Sequence, residues 1–355
     1  MNTLFAIARQ RSGRLLQALE VYEQILVVMH DNPDPDAIAT GWSVLALVED
    51  KLGIPVRLVA GGAIVRAENR HMVELLRPPV ELLDELTVAE HTATVLVDCS
   101  PNTTNQLLTR AAVRPVAVLD HHQHSGSPRL AGLAFRDVRP KLVASATIAA
   151  SYLREQGVDP GIKLATCILY ALRTESKGSV TVYSRLDRSM LAWVTAQADP
   201  SVLAEIENAP LSRAYFGDLV LAIQSTLLYD GTAFCLLPRA EGAEIVGEVA
   251  DLLIRGTGIR RVFCGAAVGD DLLISVRTAR DAEDATRLLL ETIGELGGAG
   301  GHSRRAGGKI AGAAREGRIP EALEDELRGR WLGACRIGRQ RGTRLVARRE
   351  IVDNL

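Results

Sequence analysis

The segment VVMHDNPDPDAIATG, residues 27–41, sets His30, Asp31, Asp34 and Asp36 within seven residues, directly after an apolar run. Two further apolar runs end in a similar way. TVLV (94–97) leads into Asp98, and VAVL (116–119) leads into Asp120, His121 and His122. An ionised carboxylate only accepts hydrogen bonds, and several packed together repel one another and rise in pKa. A divalent cation removes that penalty. Oxygen donors mixed with imidazole suit Mn2+, Mg2+ or Fe2+ better than an ion that prefers thiolates. Two such ions roughly 3.5–4 Å apart, bridged by one carboxylate, are a common device for cleaving phosphate esters. Each segment alone reads as a turn, a helix cap or a solvated surface pair. Their recurrence at three strand ends favours a metal site.

Such residues need elements to aim them. ILVVM (25–29), VRLVA (56–60), TVLV and VAVL are short, mostly β-branched runs that alternate with helical stretches. Residues 4–24 read as an amphipathic helix, 37–51 as a helix capped near Gly53, and 144–173 and 186–228 as mostly helical. This alternation predicts an α/β fold: a parallel sheet with helices on both faces. In such sheets functional groups gather at the carboxyl ends of the strands. A smaller second α/β unit is expected from about Gly231, with strands at 232–237, 262–268 and 272–278 and helices at 243–255 and 281–295. The glycine-rich run GGAGGHSRRAGG (297–308) follows.

The 355-residue length calls for two domains, and a charged fraction of 24% is ordinary for a globular chain. A net charge of −2 argues against coating duplex nucleic acid, and 4% aromatics leaves few rings for stacking bases. Cys99, Cys167, Cys235, Cys264 and Cys335 form no CxxC pair, which points to a reducing cytoplasm. No signal-peptide pattern and no membrane-spanning apolar run is seen.

HDNPDPDAIATG, LVDCS and LDHH, taken in order, resemble the first three motifs of the DHH phosphoesterase family. GGAGGH (297–302) and SVR (275–277) resemble the signature of that family's associated C-terminal domain. The resemblance covers about residues 21–312 and is nearest to the RecJ-like and nanoRNase–pAp phosphatase branch. It implies a DHH catalytic domain at 21–210, with helix 1–20 packed on it, and a helical linker at 211–230. An associated substrate-binding domain at 231–312 would face the metals across a cleft, and an Arg-rich tail would occupy 313–355.

The resemblance also implies two Mn2+ ions, with Mg2+ or another divalent cation as substitutes. His30 and Asp34 would hold one, Asp36 and His122 the other, and Asp98 would bridge them. Asp120 and His121 would stand behind the ligands or near the scissile phosphate, making Asp98, Asp120 and His121 the catalytic group. Asn32 would shape the turn and touch the phosphate. In the fourth motif the family carries an aspartate where this chain has Glu175, in ALRTESKGS, and Glu175 is expected to ligate despite its extra methylene. Arg277, Gly300, Gly301, His302 and Arg304 would grip the substrate.

The expected protein is a hydrolase: a metal-dependent phosphodiesterase or phosphomonoesterase. It would act on nanoRNA, dinucleotides or pAp by two-metal water activation. Partners would be such short substrates rather than long duplex DNA or a membrane, with a homodimer left open. One alternative is a nucleotide-binding sensor weakened by Glu175. Another is a single-strand-specific exonuclease, although that activity would be expected to bring a further oligonucleotide-binding domain. Asp187 reads as a helix N-cap, His124 as surface, and the arginines between Arg339 and Arg349 as a solvated or partner-binding tail.

Overall fold

In the computed structural model the described residues are 2–122, 132–176, 183–240, 242–279, 282–315, 317–338 and 341–346. Of residues 2–10 and His302 only the backbone is described. His124, Arg339 and Arg349 lie outside this set. The chain divides into two compact units, Met1–Pro210 and Leu211–Leu355.

The first unit begins with α1 (Asn2–Leu19), followed by β1 (Gln24–Val28), α2 (Pro35–Leu52) and β2 (Val56–Ala60). It continues with α3 (Ala67–Leu76), β3 (Val80–Leu82), β4 (Thr92–Val97), α4 (Leu107–Arg110), β5 (Ala117–Asp120) and β6 (Phe135–Val138). It closes with α5 (Ser145–Gln156), α6 (Gly161–Ser176), α7 (Arg185–Thr195) and α8 (Pro200–Glu207). The six strands form one sheet in the order β3-β2-β1-β4-β5-β6, and every pairing is parallel. Side chains alternate between its faces. Ile25, Val27 and Met29 enter a large core with α1, α2, α3 and α5–α8, while Leu26 and Val28 meet Leu107 and Leu108 of α4 on the other face.

Helices therefore fall on both faces but unevenly. The chain winds outward from β1 to β3 in one direction and from β4 to β6 in the other. The reversal point lies between the neighbouring strands β1 and β4, where open α/β sheets form a crevice beyond the carboxyl ends of their strands.

The second unit comprises α9 (Arg213–Ser225), β7 (Leu227–Tyr229), β8 (Thr232–Leu237), α10 (Glu244–Leu253), β9 (Arg261–Val268) and β10 (Asp271–Thr278). Then come α11 (Ala285–Ile293), β11 (Gly298–His302), β12 (Arg305–Ile310), α12 (Glu321–Ala334) and β13 (Thr343–Arg344). Its mixed sheet has the order β11-β12-β10-β9-β8-β7-β13, and only β8 and β9 pair in parallel. α9 and α10 pack on one face and α11 and α12 on the other.

Several elements differ from the sequence expectation. The first helix ends at Leu19, not residue 24. The stretch 144–173 is broken into α5 and α6 where Gly157 and Gly161 take left-handed backbone (φ +66 and +65). The amphipathic stretch read at 320–332 within the expected tail is α12, whose Trp331 is fully buried and donates its indole N–H to the Ala233 carbonyl at 3.2 Å. The glycine-rich run forms the edge strand β11, paired antiparallel with β12. Asp187 is not the N-cap of α7. Ser184 caps it, and Asp187, fully buried at the third position, completes the capping box and accepts a hydrogen bond from Thr147 Oγ1 at 2.6 Å.

Candidate metal centre

Three neighbouring strands deliver the polar residues. β1 runs into His30, β4 into Asp98, and β5 ends at Asp120 with His121 and His122 next in the chain. α2 starts immediately beyond β1 because Asp34 caps it: the backbone N–H groups of Asp36 and Ala37 both donate to Asp34 Oδ1 at 3.0 Å. The same turn fixes Asn32 in left-handed backbone (φ +56), and its side-chain oxygen accepts from the Ala63 N–H at 3.0 Å. Asn32 thus shapes the turn. A Cβ on Gly62 would overlap the Asn32 side chain, so the close approach of these loops requires glycine.

Two groups of metal-type donors result, His30–Asp34–Asp98 and Asp98–His121–His122, with the donor atoms of each group within 4.8 Å of one another. Asp98 is common to both. His30 Nε2 lies 3.8 Å from Asp34 Oδ1 and 3.7 Å from Asp98 Oδ2. His121 Nε2 lies 3.6 Å from Asp36 Oδ2 and 3.7 Å from Asp98 Oδ1. Each histidine is oriented from behind through Nδ1. His30 faces the Asp31 carbonyl at 2.9 Å, His121 the Leu142 carbonyl at 3.3 Å, and His122 the Asp120 carboxylate at 2.8 Å. For His30 and His121, whose Nε2 faces the carboxylates, an oxygen at Nδ1 is the usual arrangement behind a metal-binding imidazole, whereas His122 lies 3.7 Å from Asp98 Oδ1 through Nδ1 itself.

Asp36 and Asp98 are almost fully buried. Both oxygens of Asp36 are held by the start of α5, accepting from the Ser145 N–H at 2.8 Å and the Ala146 N–H at 2.7 Å. The Ser145 hydroxyl donates to Asp98 Oδ1 at 2.8 Å and accepts from the His121 N–H at 3.1 Å. Asp98 itself sits in left-handed backbone (φ +56), a conformation costing a non-glycine residue about 1–2 kcal/mol. Such strain is held in place only by surrounding contacts.

The electrostatics match the crowding. Burial raises Asp36 well above the carboxylate range, and the charges of Asp98, Glu175 and Asp34 add to the effect. Burial works to lower His30 and His122, but carboxylate neighbours outweigh it. Asp34 and Asp98 bring His30 well above the usual imidazole value, and Asp120 and Asp98 bring His122 up to about 9. Burial would raise Asp34, yet His30 and two backbone N–H groups hold it down at about 2. His30 and His122 are thus drawn toward carrying positive charge among the carboxylates. A divalent cation answers the same need, and the oxygen–imidazole donor set fits a hard or borderline ion.

The fold therefore brings together His30, Asp34, Asp36, Asp98, Asp120, His121 and His122. Glu175, half-buried near the end of α6, is close enough for its charge to raise both Asp36 and His122. Residues 177–179, the end of the fourth motif, lie outside the described set. Asp36 is the family-type ligand most engaged elsewhere, and His121 enters a donor group in which the resemblance placed only His122.

The expected substrate-binding residues of the second unit divide differently. Arg277, on β10, is mostly buried, with its Nε 2.7 Å from Asp251 Oδ1 and a terminal nitrogen 2.6 Å from Ser275 Oγ. Gly300 and Gly301 lie on β11, and Arg304 is exposed in the turn to β12. The backbone of His302 ends β11, and its side chain lies outside the described set. Sequence reasoning missed Ser145. Its segment VASAT carries no signal beyond ordinary helix onset, and only the tertiary fold brings it under Asp36 and Asp98.

No family model matches the chain. A protein of Methanocaldococcus jannaschii, described as uncharacterized, is 29% identical over 287 residues, which are 81% of this chain. This chain spans 58% of that relative's length. Among solved structures, an exopolyphosphatase-related protein of Bacteroides fragilis aligns with a TM-score of 0.68 at 15% identity, over 91% of this chain and 97% of that one. At that identity the likeness is one of fold. The DHH domain of a protein described as a member of the s1p family of ribosomal proteins aligns with a TM-score of 0.46 at 12% identity, over 94% of this chain and 92% of that one, and adds no argument of its own. Among the described residues no helix is long and apolar enough to cross a membrane.

Proposed function

We propose, from the resemblance of its motifs to the DHH phosphoesterases and its likeness in fold to the exopolyphosphatase-related protein, that the chain is a metal-dependent phosphoesterase acting on short nucleotides such as dinucleotides, nanoRNA or pAp. The observation that carries this reading is the meeting of two Asp/His groups at one buried carboxylate, Asp98. Divalent cations bound there, Mn2+ foremost, would supply positive charge for the phosphate and a water acidic enough to attack phosphorus near neutral pH. His30 and Asp34 would hold one ion and His121 and His122 the other. Asp98 would serve both, and Asp36 and Glu175 would add carboxylate charge.

The chain's own residues make the site rigid. Ser145 fixes Asp98 and the His121 backbone, Asp120 orients His122 through Nδ1, and the start of α5 anchors Asp36. Such supporting contacts typically contribute 10- to 100-fold in metal affinity or rate. A net charge of −2 and few aromatics favour short substrates over long strands. Arg304 is exposed at the hairpin turn and can meet a distal phosphate, whereas Arg277 is engaged with Asp251 and serves better as a support. Five cysteines without a CxxC pair suit a reducing compartment such as the cytoplasm.

A second reading, a nucleotide sensor without turnover, draws on Glu175 in place of the family's aspartate. The deciding experiment combines metal content with Mn2+-supported hydrolysis of a panel. The panel holds pAp, a 5′-phosphorylated dinucleotide, linear and cyclic di-purine nucleotides, a long single strand and polyphosphate. Two ions per chain with fastest turnover of pAp or the dinucleotide is the expected result. One ion or none, with nucleotide binding and no hydrolysis, would establish the sensor. Fastest turnover of polyphosphate would move the substrate to the class named for the Bacteroides protein.

A further inference from the structure

The second unit holds a cavity that the strand-end cluster does not use. β8 and β9 are its parallel pair, joined through α10. Their carboxyl ends open on a cavity of about 790 Å3, lined among others by Arg239, Arg318, Ala240, Gly269 and Gly317. That volume is in the range of small-ligand sites. The glycine hairpin lies at the other end of the sheet. Arg277, late in β10, pairs with Val262 at the start of β9 and with Arg305 at the start of β12. The cavity instead touches Ala267 and Gly269, where β9 finishes.

The lining chemistry is specific. On the strands of this unit Arg261 is spent on Glu283 and Arg277 on Asp251. Arg239 and Arg318 are exposed and have no ion-pair partner among the described residues. Two uncommitted guanidinium forks on one cavity match the oxygens of a multiply charged oxyanion. Gly269 and Gly317 take left-handed backbone (φ +61 and +69) and carry no side chain to shield their main chain from a ligand. The carboxyl ends of parallel strands are also where α/β units take ligands. The Glu244 carboxylate lies against Gly242 at the first turn of α10, so the guanidinium pair, and not the helix end, carries the argument. Among the described residues no aromatic side chain lines the cavity, so none of them would stack a base there.

We propose that the cavity at the carboxyl ends of β8 and β9 is an oligophosphate-binding site clamped by Arg239 and Arg318. Its ligand is a phosphate chain, which an inorganic triphosphate and the tail of a nucleoside triphosphate present alike. The site does not depend on the hydrolysis proposed for the first unit.

Calorimetric titration of the full chain, kept metal-free with chelator, tests it with inorganic triphosphate and, separately, ATP. The proteins compared are the wild type, the double variant Arg239→Gln/Arg318→Gln, and Arg304→Gln at the hairpin turn. The expected result is saturable binding of one triphosphate by wild type and by Arg304→Gln, with ATP no tighter. The double variant, with an unchanged melting curve, should bind at least about tenfold more weakly. Absence of saturable binding to wild type, undiminished binding by the double variant, or binding of ATP without triphosphate would each overturn the proposal. Should the double variant fail to fold, Arg318→Lys keeps the charge and loses the fork. It must then weaken triphosphate binding for the proposal to stand.

Discussion

Charge is handled in opposite ways in the two units. Around Asp98 the first unit gathers carboxylates with imidazoles as their close neighbours, and among the described residues no Lys or Arg pairs with Asp34, Asp36 or Asp98. In the second unit the strand residues are matched locally: Arg277 with Asp251, Arg261 with Glu283, Lys309 with Asp271. A matched pair neutralises itself and supports packing, contributing little beyond that. A crowd of acceptors without a fixed cation is unfavourable as it stands, which is why burial and like charge push Asp36 up. The contrast separates a cluster that could hold cations from strand residues whose charges are already matched.

Removing the shared carboxylate is the severest way to break this comparison. On the proposed two-ion reading, Asp98→Ala should abolish tight metal binding and reduce Mn2+-supported hydrolysis roughly 10³-fold or more, while circular dichroism stays native. Unchanged turnover would remove Asp98 from the centre of the mechanism. Ser145→Ala comes next. It deletes the hydroxyl that holds Asp98 Oδ1 and the His121 backbone and leaves the ligand types intact. A loss of about 10- to 100-fold in metal affinity or kcat is expected, read by metal titration and steady-state rates. Full activity in that variant would mean that Asp98 holds its left-handed conformation without help.

How much of this was legible follows from where the chemistry sits in the chain. His30, Asp34 and Asp36 are within one turn of a β-branched strand, and Asp98 and Asp120–His122 repeat the pattern, so local sequence marks each strand end. The strand order that places β1, β4 and β5 side by side follows from the winding rule for α/β sheets. Ser145 was not legible, because its role exists only once α5 returns beneath β1 and β4. The glycine run reads as a loop because glycine has poor strand propensity. Its extended form comes from pairing with β12, where Gly301 permits an approach that a Cβ would block against Arg305 and Ala306. The stretch 320–332 reads as amphipathic and is α12, but Leu327 and Trp331, its two fully buried residues, are too sparse a core signal to assign it to the second unit rather than to a tail.

Two smaller perturbations ask whether the second unit is only scaffold. Gly301→Ala would push a Cβ into the β12 backbone and should cost about 1–3 kcal/mol of stability, seen as a lower Tm. Arg277→Ala removes the guanidinium from Asp251 and Ser275 and should cost about 1 kcal/mol, with KM for short substrates unchanged. A raised KM at native Tm would reverse that reading. Arg277 would then be a phosphate grip, and the contrast between the units would fail.

The smallest expected stability effect is the most informative about the hairpin. An added Cβ at Gly300 meets nothing within 4 Å, and the residue is not among those with positive φ. Gly300→Ala should therefore leave the fold intact, and fewer unfolded conformations could even raise stability by a few tenths of a kcal/mol. The fold has no steric need for glycine at that position, so any loss of function there must come from something outside the unit that approaches the backbone. If Gly300→Ala keeps its Tm while KM for a dinucleotide rises severalfold, the hairpin touches substrate. If both are unchanged, β11 is an edge strand only, and the grip on the substrate's far end has to be sought at Arg304.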